Sequence, residues 1–366
     1  MSARLIQKCV VVHADNGGTG HDLQTTQALA RWLAEILGWS FKENGQQTDD
    51  SQEPLYWVPT QTLIGKQLDE LRVSGADDLL GGYVQHAFVA TKAISHPLLA
   101  QSRRQPDGWN PQFCERVRDV VLPGVTVFDL EDARQAAMTG LRKGALRVKQ
   151  VEACGGSGQS VLHNQNDVEK WLGNLDADTC AHGIVLEENL KESVTYSVGQ
   201  TLIDGLLMTY VGQQEQKQNS RGESVYGGSE LLLVRGDYVE LLARDLKPDV
   251  RRAIEYARTY DTAAALSFPG FFASRRNYDV VQGQGSDGTL KVGVLEQSWR
   301  VGGATGAELA ALQAFRERPQ TSAVRASTHE KHEEQPVPEG ARVLYSGPDG
   351  NGDFLLKFAR IDAYDC

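Results

Sequence analysis

Residues 145–161, ALRVKQVEACGGSGQSV, constrain the fold more than any other stretch. Alternating apolar positions carry Lys149 into a loop with Gly155, Gly156, Ser157 and Gly158, and VLH then reads as a returning strand. The period of two predicts strand rather than helix. A glycine-rich loop lets backbone N–H groups approach phosphate oxygens, and a strand lysine supplies a point charge. It is not a P-loop, because no GK[ST] follows and no helix begins there. Taken alone, the same residues also fit a hairpin turn beside one lysine with a buried stem.

Strands and helices alternate around this loop. VTVFDL reads as a strand, EDARQAAMTGLRKG as an amphipathic helix closed by Gly144, NDVEKWLGNL as a short helix capped by Asn166 or Asp167, and GIVLEENL as a buried strand ending in acids. The N-terminus opens with the strand KCVVVH, the turn DNGGTGHD and the helix LQTTQALARWLAEILG stopped by Gly38. The pattern predicts an α/β chain. Residues 43–53 read as an exposed loop, PLYWVPTQTL as a strand, LIGKQLDELR as a short helix, and 76–111 as helical or irregular.

Beyond residue 190 hairpins dominate. SVTYSVGQTLIDG and LLMTYVGQQEQ turn at Asp204-Gly205, and NYDVVQGQGSDGTLKVGVLEQSWR turns around Ser286-Asp287-Gly288. Between them KPDVRRAIEYARTYDTAAAL reads as a long helix with Pro248 near its start. TGAELAALQAF reads as a helix with Thr305 and Glu308 as a capping box. Residues 316–338 read as a linker, and ARVLYSG with DFLLKFARI as a closing hairpin.

At 366 residues the chain predicts two or three domains. A net charge of −11 argues against a general nucleic-acid binder, though not against a local basic pocket. Cys9, Cys114, Cys154, Cys180 and Cys366 are odd in number and form no CxxC, which argues for a reducing cytoplasm rather than a disulfide scaffold. No apolar run approaches the ~18 residues that span a bilayer, and CVVV is too short for a signal core. A cytoplasmic protein without membrane partners is expected.

Two further clusters carry chemistry. Glu187 and Glu188 end GIVLEENL, where a solvated strand end is the plain alternative. In LEQSWRVGG, Glu296, Ser298 and Arg300 share one strand face, with Asp279 on the partner strand. Two carboxylates beside a hydroxyl and an arginine suit Mg²⁺ bridging phosphates. A cross-strand salt bridge from Arg300 to one acid is the alternative.

In this order, the strand lysine with its glycine loop, the strand ending in acids, and the hairpin acid followed by E-x-S-x-R resemble the ATP-grasp superfamily over roughly residues 91–315. The pattern looks like its biotin carboxylase and carboxylate–amine ligase branches, and resembles a bacterial family of unassigned reaction. The resemblance implies a Rossmann-like preATP-grasp domain over 1–120 and α+β subdomains over 121–189 and 190–316. A linker and hairpin would occupy 317–366. Lys149 and Lys92 would meet the ATP phosphates, and Gly155, Gly156, Ser157 and Gly158 would cover them. Glu187, Glu188, Asn189 and Leu190 would form the adenine-reading hinge. Asp279, Glu296 and Ser298 would hold Mg²⁺, or Mn²⁺ in its place. Arg300 would steady a carboxylate substrate, and the N–H groups of Gly302 and Gly303 would face a developing oxyanion.

Ser298 stands where the superfamily pattern has Asn, and Thr195 stands near the position of its ribose-binding acid, leaving Glu192 as another ribose contact. The implied activity is an ATP-dependent carboxylate–amine or carboxylate–thiol ligase acting through an acyl-phosphate, with small-molecule carboxylate and nucleophile as partners. Bicarbonate activation of the biotin-carboxylase kind and ATP binding without turnover are the alternatives. A homodimer is compatible with the sequence. Arg275 and Arg276 read as anion contacts or a solvated pair, His13 and His21 as surface or pocket residues, His329 and His332 as solvated linker, and Cys154 as a small loop residue.

Overall fold

The computed structural model describes residues 7–14, 20–43, 53–153, 158–218, 224–350 and 352–365. The chain opens with β1 (Cys9–His13), α1 (His21–Leu37), β2 (Ser40–Lys42) and β3 (Leu55–Pro59); β1 lies between β2 and β3, and both pairings are parallel. The CVVV run is buried throughout, as a covered parallel strand requires. Helix α1 buries Leu29, Ala30, Leu33 and Leu37 and stops at Gly38, whose φ of 67° is the left-handed conformation that glycine permits. Then come β4 (Leu63–Ile64), α2 (Gln67–Glu70) and β5 (Gly82–Val84), 3₁₀ turns at Ala87–Ala90 and Lys92–Ser95, and α3 (Pro111–Val117). The expected loop over 43–53 falls, from residue 44 to 52, outside the described residues.

The next unit is α+β. It comprises β6 (Gly124–Val127), α4 (Leu130–Gly140), β7 (Leu146–Gln150), β8 (Gln159–Leu162), α5 (Gln165–Asn174), α6 (Ala177–His182) and β9 (Ile184–Glu188). Its strands order as β6-β9-β7-β8 with antiparallel neighbours. Val127, Ala133, Ala137, Val148, Val168 and Leu186 form its core. Asn164, not Asn166 or Asp167, caps α5 by accepting from the Asp167 N–H.

The remainder comprises β10 (Lys191–Ile203), β11 (Leu206–Gln218), β12 (Ser224–Arg235), α7 (Tyr238–Leu242), α8 (Pro248–Ser267), β13 (Phe272–Ala273), β14 (Arg275–Gln284) and β15 (Leu290–Ser298). It ends with α9 (Thr305–Glu317), β16 (Ala323–Lys331), β17 (Arg342–Pro348) and β18 (Phe354–Tyr364). All these strands except β13 form an 8-stranded antiparallel sheet, β15-β14-β10-β11-β12-β16-β18-β17; β13 joins β5 and β4. Asp204 and Gly205 both take positive φ, 48° and 74°, the two-residue hairpin geometry that matches strand twist.

Several expectations are corrected here. Residues 316–338 are not a linker: β16 sits inside the large sheet between β12 and β18, and its buried Ala326, Ser327 and Thr328 are small residues whose apolar signal the adjacent HEKHEE charges mask. The closing hairpin extends the same sheet. Strand β12, for which the sequence pattern gives no expectation, pairs with β11 and β16. The capping box at Thr305 and Glu308 does not form. Helix α9 has Ala304 as N-cap without a side-chain bond. Glu308 turns inward instead and pairs with Arg275 at 2.8 Å, both side chains essentially unexposed at 0% and 1%.

That pair also corrects the surface reading of Arg275. The guanidinium donates to both Glu308 oxygens and to the carbonyls of Ser298 and Arg300, while the Tyr210 hydroxyl donates to Glu308 at 2.7 Å. It therefore ties β14 to α9 and to the segment between β15 and α9. Glu308→Leu leaves a buried guanidinium without its counter-charge. It should lower unfolding free energy by about 3–5 kcal/mol, read from the urea midpoint. A loss below about 1 kcal/mol would mean that Arg275 finds another partner or water.

Candidate functional site

A cavity of about 690 Å³ opens where β7, β9, β14 and β15 come together with the Lys92 turn; Lys92, Lys149, Glu187, Asp279, Glu296, Ser298 and Arg300 all line it. On β7, period-two alternation places Lys149 on the face that meets Glu187 of β9, and their charged atoms lie 2.5 Å apart. The His96 Nε2 lies 3.2 Å from the other Glu187 oxygen. Burial alone would raise the Glu187 pKa, but Lys149 and His96 outweigh it and bring it down to about 2. From the other side, Lys92 Nζ sits 2.7 Å from Glu296 and donates to the Ala153 carbonyl at 2.8 Å.

Asp279 and Glu296 are partners in the β14–β15 register. Burial, then the charge of Glu296, raises the Asp279 pKa to about 6, although Gln214 at 2.7 Å and Asn277 at 2.9 Å donate to Asp279 Oδ1. Burial also works to raise Glu296, but Lys92, with Lys149 and Arg300, holds it below its ordinary value. One carboxylate of the facing pair thus has a close cation while the other, Asp279, is shifted toward its protonated form. A divalent cation between them would supply the missing positive charge. The donors are hard oxygens: Asp279, Glu296 and the hydroxyl of Ser298, with Asn277 opposite Ser298 in register. Among the described residues no cluster of three or more His, Cys, Asp or Glu forms a metal cage. A cation here would complete its shell from phosphate and water, as Mg²⁺ ordinarily does. The residues fit the ion.

The expected hinge divides its labour. Glu187 faces inward to Lys149 and His96, and its second carboxyl oxygen is the one His96 meets. Glu188 pairs with Lys291 at 2.7 Å and accepts from the Ser286 N–H at 3.0 Å, joining β9 to the β14–β15 turn. The Asn189 N–H donates to the Ala145 carbonyl. Leu190 packs with Leu122, Val281 and Leu295, an apolar patch that also lines the cavity. Cys154, Gly155, Gly156 and Ser157 lie outside the described residues; Gly158, at φ 63°, is described.

Arg300 is half-buried and donates to the Val301 carbonyl at 3.0 Å. The Gly302 N–H donates to Thr305 Oγ1 at 3.0 Å, so that donor is already engaged. A Cβ on Gly303 would lie 2.6 Å from the Tyr226 ring, so a larger residue there would have to displace that ring. Ser193 and Thr195 line the cavity, whereas Glu192 is exposed outside its lining. Arg276 lies 3.6 Å from Asp261. His329 is not a linker residue: it stands half-buried on β16, lines the cavity with His332, and is held below its ordinary pKa by burial, then by Lys331. His21 lines the same far end with Asp22 and Lys357. His96, Gln214 and Asn277 are site residues that sequence reasoning missed. Asn277 alone had a signal, its alternation with Asp279 on β14.

These elements make an α/β protein in which an α+β unit and a large antiparallel sheet meet at a charged cleft beside an N-terminal parallel sheet. The chain belongs to the family described as protein of unknown function (DUF3182), whose model matches residues 10–359. No curated protein matches it. It is similar in structure to a D-alanyl-alanine synthetase A from Vibrio cholerae O1 biovar eltor, with 11% identity, coverage of 86% of this chain and 95% of that one, and a TM-score of 0.49. It is also similar to the D-cycloserine synthetase DcsG, with 14% identity, 85% and 99% coverage and a TM-score of 0.46. The D-alanine-D-alanine ligase from Coxiella burnetii gives 11%, 86%, 96% and 0.46. At these identities and scores the likenesses say nothing of what this chain acts on.

The raised Asp279 pKa has a sign. In the unfolded chain Asp279 ionises near its ordinary value of 3.8, and in the folded protein near 6. Between those values the folded state holds the extra proton, so stability falls as pH rises, and the whole penalty stands above about pH 6. Asp279→Asn should therefore be more stable than wild type at about pH 8 in EDTA, by on the order of 1–3 kcal/mol, and lose that advantage near pH 4. Urea midpoints at the two pH values decide; an equal offset at both would refute the raised pKa.

Proposed function

We propose that this protein is an ATP- and Mg²⁺-dependent ligase that activates a carboxylate as an acyl-phosphate for attack by an amine or similar nucleophile. One observation supports this above the rest. Lys92, Lys149, Asp279, Glu296 and Arg300, drawn from distant parts of the chain, line a single cavity beside the apolar patch of Leu122, Leu190, Val281 and Leu295. Cations, facing acids and an apolar wall are what a nucleotide triphosphate with its metal requires.

In this reading the apolar patch receives the adenine ring. Lys149 and Lys92 meet the phosphate oxygens, each already oriented by a carboxylate, so little reorganisation accompanies binding. Asp279 and Glu296 with Ser298 would hold Mg²⁺, which would supply positive charge against the negative charge that develops on the phosphates. Arg300 orients the substrate carboxylate, whose oxygen attacks the γ-phosphorus while the bond to ADP breaks and ADP keeps the electron pair. An amine then attacks the acyl carbon, phosphate leaves with the carbon–oxygen electron pair, and the amine proton passes to solvent or phosphate. The Gly302 N–H is engaged by Thr305 and contributes only if Thr305 yields it, which leaves Arg300 as the charged group beside the substrate carboxylate.

MgATP should raise the thermal midpoint, by the equivalent of about 2.7 kcal/mol at a hundredfold excess over Kd. Lys149→Ala should weaken that effect by at least tenfold in affinity. No shift with any nucleotide at millimolar concentration would refute the reading. Glu296→Gln removes one metal charge while the lysines and the apolar patch remain. ADP and phosphate release, assayed against a panel of carboxylates and amines, should fall roughly 10²–10³-fold with a smaller loss of nucleotide affinity. Wild-type turnover in folded Glu296→Gln would remove Glu296 from the metal site.

A further inference from the structure

Lys92 and His96 bracket one short 3₁₀ turn, Lys92–Ser95, and each end of that turn holds a different acid of the cleft. Lys92 holds Glu296 of β15 at 2.7 Å, and His96 faces Glu187 of β9 at 3.2 Å. The turn is itself anchored on three sides. Thr126 of β6 donates to the Ala93 carbonyl at 2.7 Å, Ser95 bonds the Tyr260 hydroxyl of α8 at 2.9 Å, and Gln297 of β15 donates to the Thr91 carbonyl at 2.7 Å. The turn is thus a fixed reference between the β9 carboxylate that carries Lys149 and the β15 carboxylate that faces Asp279.

His96 is 1% exposed, and its ring packs so tightly on Gly124 that a Cβ there would lie 2.9 Å from Nδ1. Nδ1 is buried with no hydrogen-bond partner among the described residues, and the Cys114 thiol donates to the His96 carbonyl at 3.5 Å. A buried N–H without an acceptor is costly, whereas a bare ring nitrogen against a glycine is tolerable. The tautomer this geometry accommodates therefore carries its proton on Nε2 and donates it to Glu187. The other Glu187 oxygen is thereby left to Lys149, so one carboxylate meets both partners.

We propose that His96 is a positioning residue for the phosphate-facing lysine: from the anchored turn it fixes Glu187, and through Glu187 it sets Lys149 at a defined distance from Glu296. This rests on the reading in which Lys149 meets ATP. Outer-shell partners of metal ligands commonly change metal affinity about 10–100-fold without touching the metal, and a positioning role here should act on the same scale. A purely structural histidine would change stability alone.

The test is isothermal titration of MgATP into wild type and variants, each at a temperature where circular dichroism shows it folded. His96→Gln keeps an N–H donor at the reach of Nε2; His96→Asn is one methylene short; His96→Met fills the space without a donor. His96→Gln should stay within about threefold of wild type, while His96→Asn and His96→Met each lose about tenfold or more. In a Glu187→Gln background, His96→Asn should add less than about twofold, because the path through Glu187 is already cut. If His96→Asn does not fold, His96→Met carries the comparison. Affinity unchanged in His96→Met, equal loss in all three variants, or full additivity with Glu187→Gln would each overturn the positioning role while leaving the nucleotide reading in place. Absence of MgATP binding by wild type would overturn the nucleotide reading and this inference with it.

Discussion

The cleft depends on burying opposite charges in pairs. Lys149 with Glu187, and Lys92 with Glu296, put two ammonium groups at 4% and 5% exposure into the interface between the small four-stranded and large eight-stranded sheets. An unpaired buried charge costs several kcal/mol, so neither lysine would stand there without its acid. The pairing does not consume them. An ammonium has three donors, and each lysine lines the cavity with donors to spare for an incoming anion. Asp279 is the exception that completes the logic. It is the carboxylate whose pKa burial and Glu296 push upward, so in the proposed reading a divalent cation would offset the repulsion of the facing pair.

The large sheet supplies the rest of the geometry. Because β14 and β15 are adjacent and in register, Asp279 meets Glu296 and Asn277 meets Ser298 across one ladder. The buried Arg275–Glu308 pair then fixes the chain as it leaves β15 for α9, and with it the carbonyl of Arg300. At the opposite end of the cavity, β16 and β18 bring His329, His332 and Lys357 against His21 and Asp22 of α1. The C-terminal strands are therefore part of the cleft wall, continuous with the sheet that carries the acids.

Local periodicity made much of this legible. The strand at Lys149, the strand ending at Glu188, both hairpins and the long helix behind Pro248 follow from alternation, turn residues and a proline start, and all appear close to the expected limits. Clustering of Lys149, Asp279 and Glu296 was also readable, because each sits at a strand position whose neighbours define a face; Arg300, expected on the face of Glu296 and Ser298, lies just past the end of β15 yet lines the same cavity. What was not readable depends on distant partners. Glu308 fits a capping box by spacing, yet its buried partner Arg275 lies 33 residues away and wins it for the core. Strand β16 reads as linker because its pairing with β12 and β18, not its composition, makes it a strand. His96 carries no local signal at all; only the fold sets it against Glu187.

The account centres on a cation site completed by nucleotide phosphates. Electron paramagnetic resonance of Mn²⁺ titrated into the protein, with and without ATP, tests that claim most directly. Among the described residues there are too few protein ligands for a tight site alone, so Mn²⁺ should bind weakly to the protein and at least tenfold more tightly once ATP is present, beyond what ATP itself captures in solution. Asp279→Asn should abolish that enhancement while leaving the protein folded. Mn²⁺ affinity indifferent to ATP, or an enhancement that survives Asp279→Asn, would contradict the account.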